Sequence, residues 1–264
     1  MMIKVVEPSV QFGCYDQKFL YTSDSFEPTD FMGFDWADYI PYNVAGEVER
    51  KIEAIGRVCY QSQRRTTKDS YKSFIRSLIK RGHESVLEHH SETVRVVCSR
   101  VTSHQIVRHR LCAFSQESQR YNNYASKHSY TIVLPPEDNV PPDTYIFVVD
   151  KPISYWVNSK REIANLDEVA LDSLNGCLID FQRYENKIKK HKQPPEAARY
   201  HLPNCVKTEL IMSCNLREWR HIFKERVLNP HVQPETALIF GKILKEFNKV
   251  MPIFFEDISE ATNG

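Results

Sequence analysis

Glycine is scarce in this chain, 8 in 264 residues, and none falls in a G-x-G-x-x-G or G-x-x-x-x-G-K-[ST] run. A doubly wound nucleotide-binding sheet needs such a turn after its first strand, because only glycine lets the backbone close on a pyrophosphate. The helices and strands implied by hydrophobic periodicity are interleaved, yet without the regular strand–helix rhythm of that fold. The sequence therefore reads as α+β: a single domain over 1–264, with a mixed or antiparallel sheet flanked by helices. Any phosphate must be held by side chains and helix ends.

Composition narrows the partners. Charged residues make up 26% and the formal net charge is +1, which gives no whole-protein basic surface for nucleic acid. Seven cysteines, an odd number without a CxxC pair, fit reduced, buried thiols. The first residues lack a basic-then-apolar signal, and no apolar run approaches membrane-spanning length. The expectation is a soluble cytoplasmic protein without membrane or nucleic-acid partners.

Along the chain, Met2 to Val6 alternates as a short strand. Phe12 to Tyr42 is a long irregular segment whose aromatics are expected to pack onto the body. Val44 to Tyr60 and Asp69 to Arg81 carry apolar residues at helical spacing, with Gly82 placed to terminate the second. Glu92 to Ser99 alternates as a strand with one face inward. Ser129 to Leu134 and Thr144 to Val149 read as strands around a proline-rich loop, and Ile153 to Val157 is ambiguous. Leu166 to Lys190 is the longest helix, ending in a basic run that suits the helix dipole. A short helix from Pro194 through Arg199, a strand at Val206 to Cys214, and helices at Asn215 to Val227 and Thr236 to Val250 follow.

Chemistry concentrates between Gln105 and Tyr121. Arg108, His109 and Arg110 are consecutive, with Ser118, Arg120 and Tyr121 beyond. Guanidinium forks match phosphate and carbonyl oxygens two bonds at a time. A helix over Thr102 to Arg110 would project Gln105, Arg108 and His109 from one face, held down by Val101, Ile106, Val107 and Leu111. By itself this stretch fits a charged helix end running into a polar loop. His83, Glu84, Glu88, His89 and His90 are potential metal ligands, but they form no HExxH and would not converge from a helix, so no metal is expected. Asn215 to Glu218 has the form of a capping box. On the helix it opens, Arg217 and His221 share a face, while Arg226 lies about half a turn round the axis.

Arg-His-Arg, seven residues, then Ser, with Arg120 and Tyr121 closing the run, resembles the signature of the flavin-dependent thymidylate synthases. The resemblance extends to Gly82-His-Glu-Ser85, to Ala198-Arg199 ahead of Leu202-Pro203, and to Asn215-Leu-Arg217 with His221 and Arg226. It covers about Val44 to Val250, leaving 12–42 and 135–157 as elaborations. Departures are Ser115-Gln116 where the family often has Asn-Glu, Gln119 for Gly, and His221 for Asn.

The family implies conversion of dUMP to dTMP, with 5,10-methylenetetrahydrofolate as carbon donor and NADPH reducing bound FAD, in a homotetramer. By the same matching, Ser85, Arg108, His109, Arg110, Gln116, Asn215, Arg217 and His221 would bind FAD. Gln105, Arg108, Gln116, Glu117, Ser118, Gln119, Arg120, Arg199 and Arg226 would bind the nucleotide. Arg226 is the candidate catalytic residue, stabilising negative charge that develops on the uracil ring. Ser118 reads as a nucleotide-binding hydroxyl, because a serine nucleophile needs a base within reach. Two rivals stay open: a nuclease or RNA-binding protein using the arginines on phosphates, and a nucleotide-binding relative without synthase activity.

Overall fold

In the computed structural model, which describes residues 1–13, 20–21, 46–127, 129–142, 144–147, 154–157, 162–163 and 166–262, the apolar stripes become helices. Helix α1 (Glu47–Cys59) buries Ile52, and α2 (Ser70–Lys80) buries Tyr71, Ile75 and Leu78. Gly82, at φ +70°, makes the left-handed turn that ends α2, a conformation a Cβ would strain. Helix α3 spans Arg100–Ile106. In α4 (Glu168–Glu185) the Asp167 side chain caps the first turn by accepting from Ala170 N. The basic tail expected to continue α4 is instead a π turn, Asn186–Lys190. The last helices are α5 (Pro195–Ala198), α6 (Leu216–Arg226), α7 (Pro234–Val250) and α8 (Glu256–Thr262).

Among the described residues, ten strands form two sheets. They are β1 (Met2–Val5), β2 (Ser9–Gly13), β3 (Leu20–Tyr21), β4 (Ser91–Ser99), β5 (Ala113–Gln116), β6 (Ser129–Ile132), β7 (Thr144–Phe147), β8 (Ser154–Val157), β9 (Glu162–Ile163) and β10 (Lys207–Asn215). One sheet has the order β6-β1-β7-β8-β9. It is mixed: β1 runs parallel to β6, with Ile3 opposite Tyr130, and antiparallel to β7, with Ile3 opposite Ile146. The other sheet has the order β3-β2-β4-β10-β5. The α+β reading holds, with one sheet mixed, but the one sheet expected is two five-stranded sheets among the described residues.

Strand β4 corrects one expectation. Its residues look alternating, but Val94 to Ser99 are all buried, Arg95 among them. A central strand covered on both faces has no solvent side for alternation to serve. Strand β10 does alternate, with Thr208, Leu210, Met212 and Cys214 inward. Strands β2, β3, β5 and β9 and helix α8 were not anticipated. The 12–42 segment lies outside the described residues except where it enters β2 and β3.

The chain groups into two compact units, each entered more than once. The first comprises Met1–Pro8, Val97–Ile106 and Ser115–Leu210; the second comprises Ser9–Val96, Val107–Phe114 and Ile211–Gly264. In the first unit, α4 lays Leu174, Leu178, Phe181 and Tyr184 onto Ile3, Val5, Tyr130 and Ile132. The Tyr130 and Phe181 rings stack at 4.1 Å. In the second unit, Trp219 and Phe223 of α6 meet Phe247 of α7 at 5.0 and 5.4 Å, and Phe255 meets Phe247 at 5.0 Å. That aromatic cluster fixes the axis of α6.

Among the described residues the cysteines form no disulfide. Cys98, Cys177 and Cys214 are buried as expected, but Cys59 is exposed and Cys112 and Cys205 are half-buried. No described helix is long and apolar enough to cross a membrane.

Candidate active site

Helix α6 positions one group of side chains, all in the second unit. Asn215 opens it, its Oδ1 accepting from Glu218 N at 2.9 Å, a cap contributing about 1 kcal/mol. Trp219, Ile222 and Phe223 are fully buried, so the polar residues between them are forced outward in two directions. On one side Arg217 is exposed and donates to Glu88 Oε1 at 2.5 Å. On the other, Arg226 Nε donates to His109 Nε2 at 3.1 Å. The half-turn offset between the two arginines is realised as read.

His109 is buried, its ring edge-on to Phe240 at 6.1 Å between centroids. Burial, then the neighbouring Arg226 and His221, push its pKa down to about 4. The ring is therefore neutral at pH 7 and can accept from Arg226. Its other nitrogen, Nδ1, stands 4.0 Å from Glu218 Oε1. Glu218 is buried too, and burial raises its carboxyl against the pull of His221.

Arg108 and Arg110 flank this buried histidine and are both exposed, with no ion-pair or hydrogen-bond partner among the described residues. The helix expected over Thr102 to Arg110 ends at Ile106. Gln105, Arg108 and His109 therefore do not share a helical face. Of the four residues expected to hold that helix, Ile106 is fully buried, whereas Val101 and Leu111 are exposed. His109 takes its place from tertiary partners, Arg226 and Phe240, rather than from helical periodicity.

Ser85 is exposed on the 3-10 turn Glu84–His89. The neighbouring Glu84 is anchored by Arg220, whose Nε donates to Glu84 Oε1 at 3.2 Å. Arg220 is 1% exposed. It also donates from Nη1 and Nη2 to the two oxygens of Asp257, at 2.8 and 2.7 Å, and to the Phe254 carbonyl. The motif reading passed over this arginine. Its signal was there: a charged residue between Trp219 and Ile222 on the inner face of an otherwise apolar turn.

The first unit holds the remaining predicted residues. Gln116, at the end of β5, donates from Nε2 to Ser103 Oγ at 2.8 Å and Thr208 Oγ1 at 3.2 Å. Glu117 accepts from Tyr124 OH at 3.0 Å and pairs with Lys207 at 3.3 Å. Ser118 Oγ accepts from Arg120 N at 3.2 Å, and Gln119 sits in the turn between them. Arg120 pairs with Glu196 at 2.7 Å. Glu196 lies in α5, which ends at Ala198 just before Arg199, so Arg120 and Arg199 belong to one exposed neighbourhood. Gln105 is half-buried at the end of α3. Among the described residues, no group of three His, Cys, Asp or Glu side chains is arranged to hold a metal.

Residues 42–253 match the family described as thymidylate synthase complementing protein. The chain belongs to this family, that of the flavin-dependent thymidylate synthases. Among relatives of this family, a flavin-dependent thymidylate synthase of Mycobacteroides abscessus is 31% identical over 221 residues, covering 80% of each chain. Another, of Corynebacterium diphtheriae, is 30% identical over 232 residues, covering 85% of this chain and 83% of that one. In fold, the chain is similar to a UMP/dUMP methylase, PolB, of Streptomyces cacaoi solved with 5-Br dUMP: TM-score 0.65, 18% identity, 97% of each chain covered. The family match includes the whole Arg108 to Arg226 constellation and the 135–157 region, and begins where the 12–42 segment ends.

Proposed function

We propose that this member of the flavin-dependent thymidylate synthase family methylates dUMP to dTMP, with FAD, NADPH and 5,10-methylenetetrahydrofolate. The observation that carries the reading is the Arg226–His109 hydrogen bond. It joins the Arg-His-Arg run to the far end of α6, two motifs 117 residues apart, through a histidine held neutral.

The donor set fits a flavin dinucleotide. Its pyrophosphate asks for cations, and Arg108 and Arg110 are exposed guanidinium groups without partners among the described residues. His221 is exposed on the same helix as Asn215 and Arg217. Arg217 would exchange Glu88 for the cofactor, and Ser85 would offer a hydroxyl. Bound FAD would carry reducing equivalents from NADPH to the one-carbon unit.

Arg226 uses one nitrogen on His109, and its two terminal nitrogens remain for a carbonyl oxygen of the pyrimidine. A guanidinium placed there stabilises charge developing on the ring, an effect worth about 3 kcal/mol when a single donor of this kind is removed. Gln105, Gln116 to Arg120 and Arg199 are assigned to the nucleotide's phosphate and sugar. Ser118 accepts the Arg120 N–H in its own turn, and no described histidine hydrogen-bonds it, so it serves as a binding hydroxyl. Residues would come from several copies of the chain in a homotetramer, which suits a helix whose arginines point to opposite sides.

The test is release of tritium from C5-labelled dUMP. Release that requires flavin, NADPH and the folate together supports the proposal. Binding of dUMP without release under those conditions removes the synthase reading. UMP run in parallel decides whether the ribose 2′-hydroxyl is accepted, as the name of the Streptomyces cacaoi neighbour raises.

A further inference from the structure

Glu218 is a buried carboxylate beside His109, the acceptor of Arg226, and the reaction as described gives it no work. It is the third residue of α6, where a glutamate ordinarily reaches back to the cap. Here Asn215 caps the helix, and the Glu218 side chain, 8% exposed, is turned towards His109. Among the described residues its carboxylate accepts no side-chain hydrogen bond. A buried carboxylate is costly unless it takes a proton from a donor.

The donor follows from Arg226. Arginine has N–H groups and no acceptor. Its Nε lies 3.1 Å from His109 Nε2, so Nε2 carries the lone pair and the neutral ring carries its proton on Nδ1. Nδ1 is the atom 4.0 Å from Glu218 Oε1. A movement of about 1 Å closes that gap to a charge-assisted hydrogen bond. Of the other groups around the ring, Arg226 of α6 has donors only, His221 of α6 makes no hydrogen bond to it, and Phe240 of α7 is an aromatic ring nearly perpendicular to it.

We propose that Glu218 is a positioning residue for Arg226, acting through His109. It accepts the Nδ1 proton, holds Nε2 as the acceptor, and so keeps the arginine's Nε occupied and its two terminal nitrogens aimed outward. Without it, the ring can carry its proton on Nε2, where it meets the arginine N–H head-on and turns the guanidinium away. The catalytic consequence rests on the synthase reading; the placement of the proton does not.

The experiment compares native protein with Glu218→Leu, of similar size and apolar, and Glu218→Gln, which keeps an acceptor. Solid-state 15N spectra of histidine-labelled protein report which ring nitrogen is protonated, and the His109 signals are those lost in His109→Gln. Native protein and Glu218→Gln are expected to show Nδ1–H alone, and Glu218→Leu both tautomers. In the tritium assay, kcat is expected to fall about tenfold in Glu218→Leu and about threefold in Glu218→Gln, with KM for dUMP within about twofold. A merely structural carboxylate predicts Nδ1–H alone in all three proteins, because nothing then ties the ring proton to residue 218. Nε2–H in the native protein, or Nδ1–H alone in Glu218→Leu, overturns the proposal. If Glu218→Leu does not fold, Glu218→Ala is read by the same criteria. Tautomers as expected with no tritium release from native protein would leave the proton's position standing and remove the synthase reading instead.

Discussion

Replacing His109 with glutamine will flatten the acid side of the stability profile. The folded pKa of His109 is about 4, against 6.5 for an ordinary histidine, because the ring is buried next to Arg226 and His221. Between those two values the unfolded chain binds a proton that the folded chain refuses. Stability therefore rises with pH through this window and is lost as pH falls from about 6.5 towards 4. The ring is 7% exposed, so solvent screening takes little from the effect. From pH 7 to pH 5 the linkage amounts to about 2 kcal/mol, and its limit at lower pH is about 3 kcal/mol. Glutamine does not titrate and can still accept from Arg226. Other groups shift with pH as well; Glu49 and Glu218, raised by burial, contribute with the opposite sign. Glu49 is common to both proteins and cancels in the difference; repeating the pair in a Glu218→Gln background removes the contribution of Glu218, which faces His109. Urea unfolding of native and His109→Gln protein at pH 7 and pH 5 gives the comparison. The native protein is expected to lose about 2 kcal/mol more than the variant. Equal losses would mean that His109 titrates normally, and the neutral acceptor for Arg226 would be gone.

Arg226→Ala is expected to lower kcat for tritium release by about 100-fold or more while flavin stays bound; an unchanged rate would take Arg226 out of the mechanism. Arg108→Ala is expected to weaken FAD and dUMP binding together, each measured by titration, and a change in only one would break the shared assignment. Asn215→Ala loses the cap of α6 and about 1 kcal/mol of stability in urea unfolding; loss of flavin affinity in the same variant would add a direct contact to the cap. Arg220→Ala strips Asp257 and Glu84 of their common partner and is expected to destabilise by roughly 3 kcal/mol, with a cost near zero showing that the buried cluster is replaceable.

Local pattern made the helices legible. The stripes of α1, α2, α4 and α7 are periodic over several turns, and Asn215 with Glu218 marked the start of α6 to the residue. Features set by distant partners were not legible. Strand β4 alternates in sequence, but from Val94 on it is buried on both faces by parts of the chain that its own pattern does not name, while β10 beside it keeps a half-exposed face. The helix read through Arg110 stops at Ile106, because His109 is held by Arg226 and Phe240, which lie more than a hundred residues on. Strand β5 ends in Ser115 and Gln116, polar residues that local propensity assigns to a loop. In the candidate site, Arg108, Arg110, Arg217 and Arg226 are assigned through a resemblance in motif, whereas the sequence reads Glu218 as a cap alone. Its second role depends on a carboxylate turned towards a ring from another part of the chain, which spacing does not encode.

The central claim is that these guanidinium and imidazole groups hold a flavin. The absorption spectrum of purified protein, before and after titration with FAD and desalting, tests it most directly. A yellow protein with the bands of oxidised flavin, retained through desalting and lost with Arg108→Ala, is the predicted result. Protein that stays colourless after saturation with FAD would contradict the account.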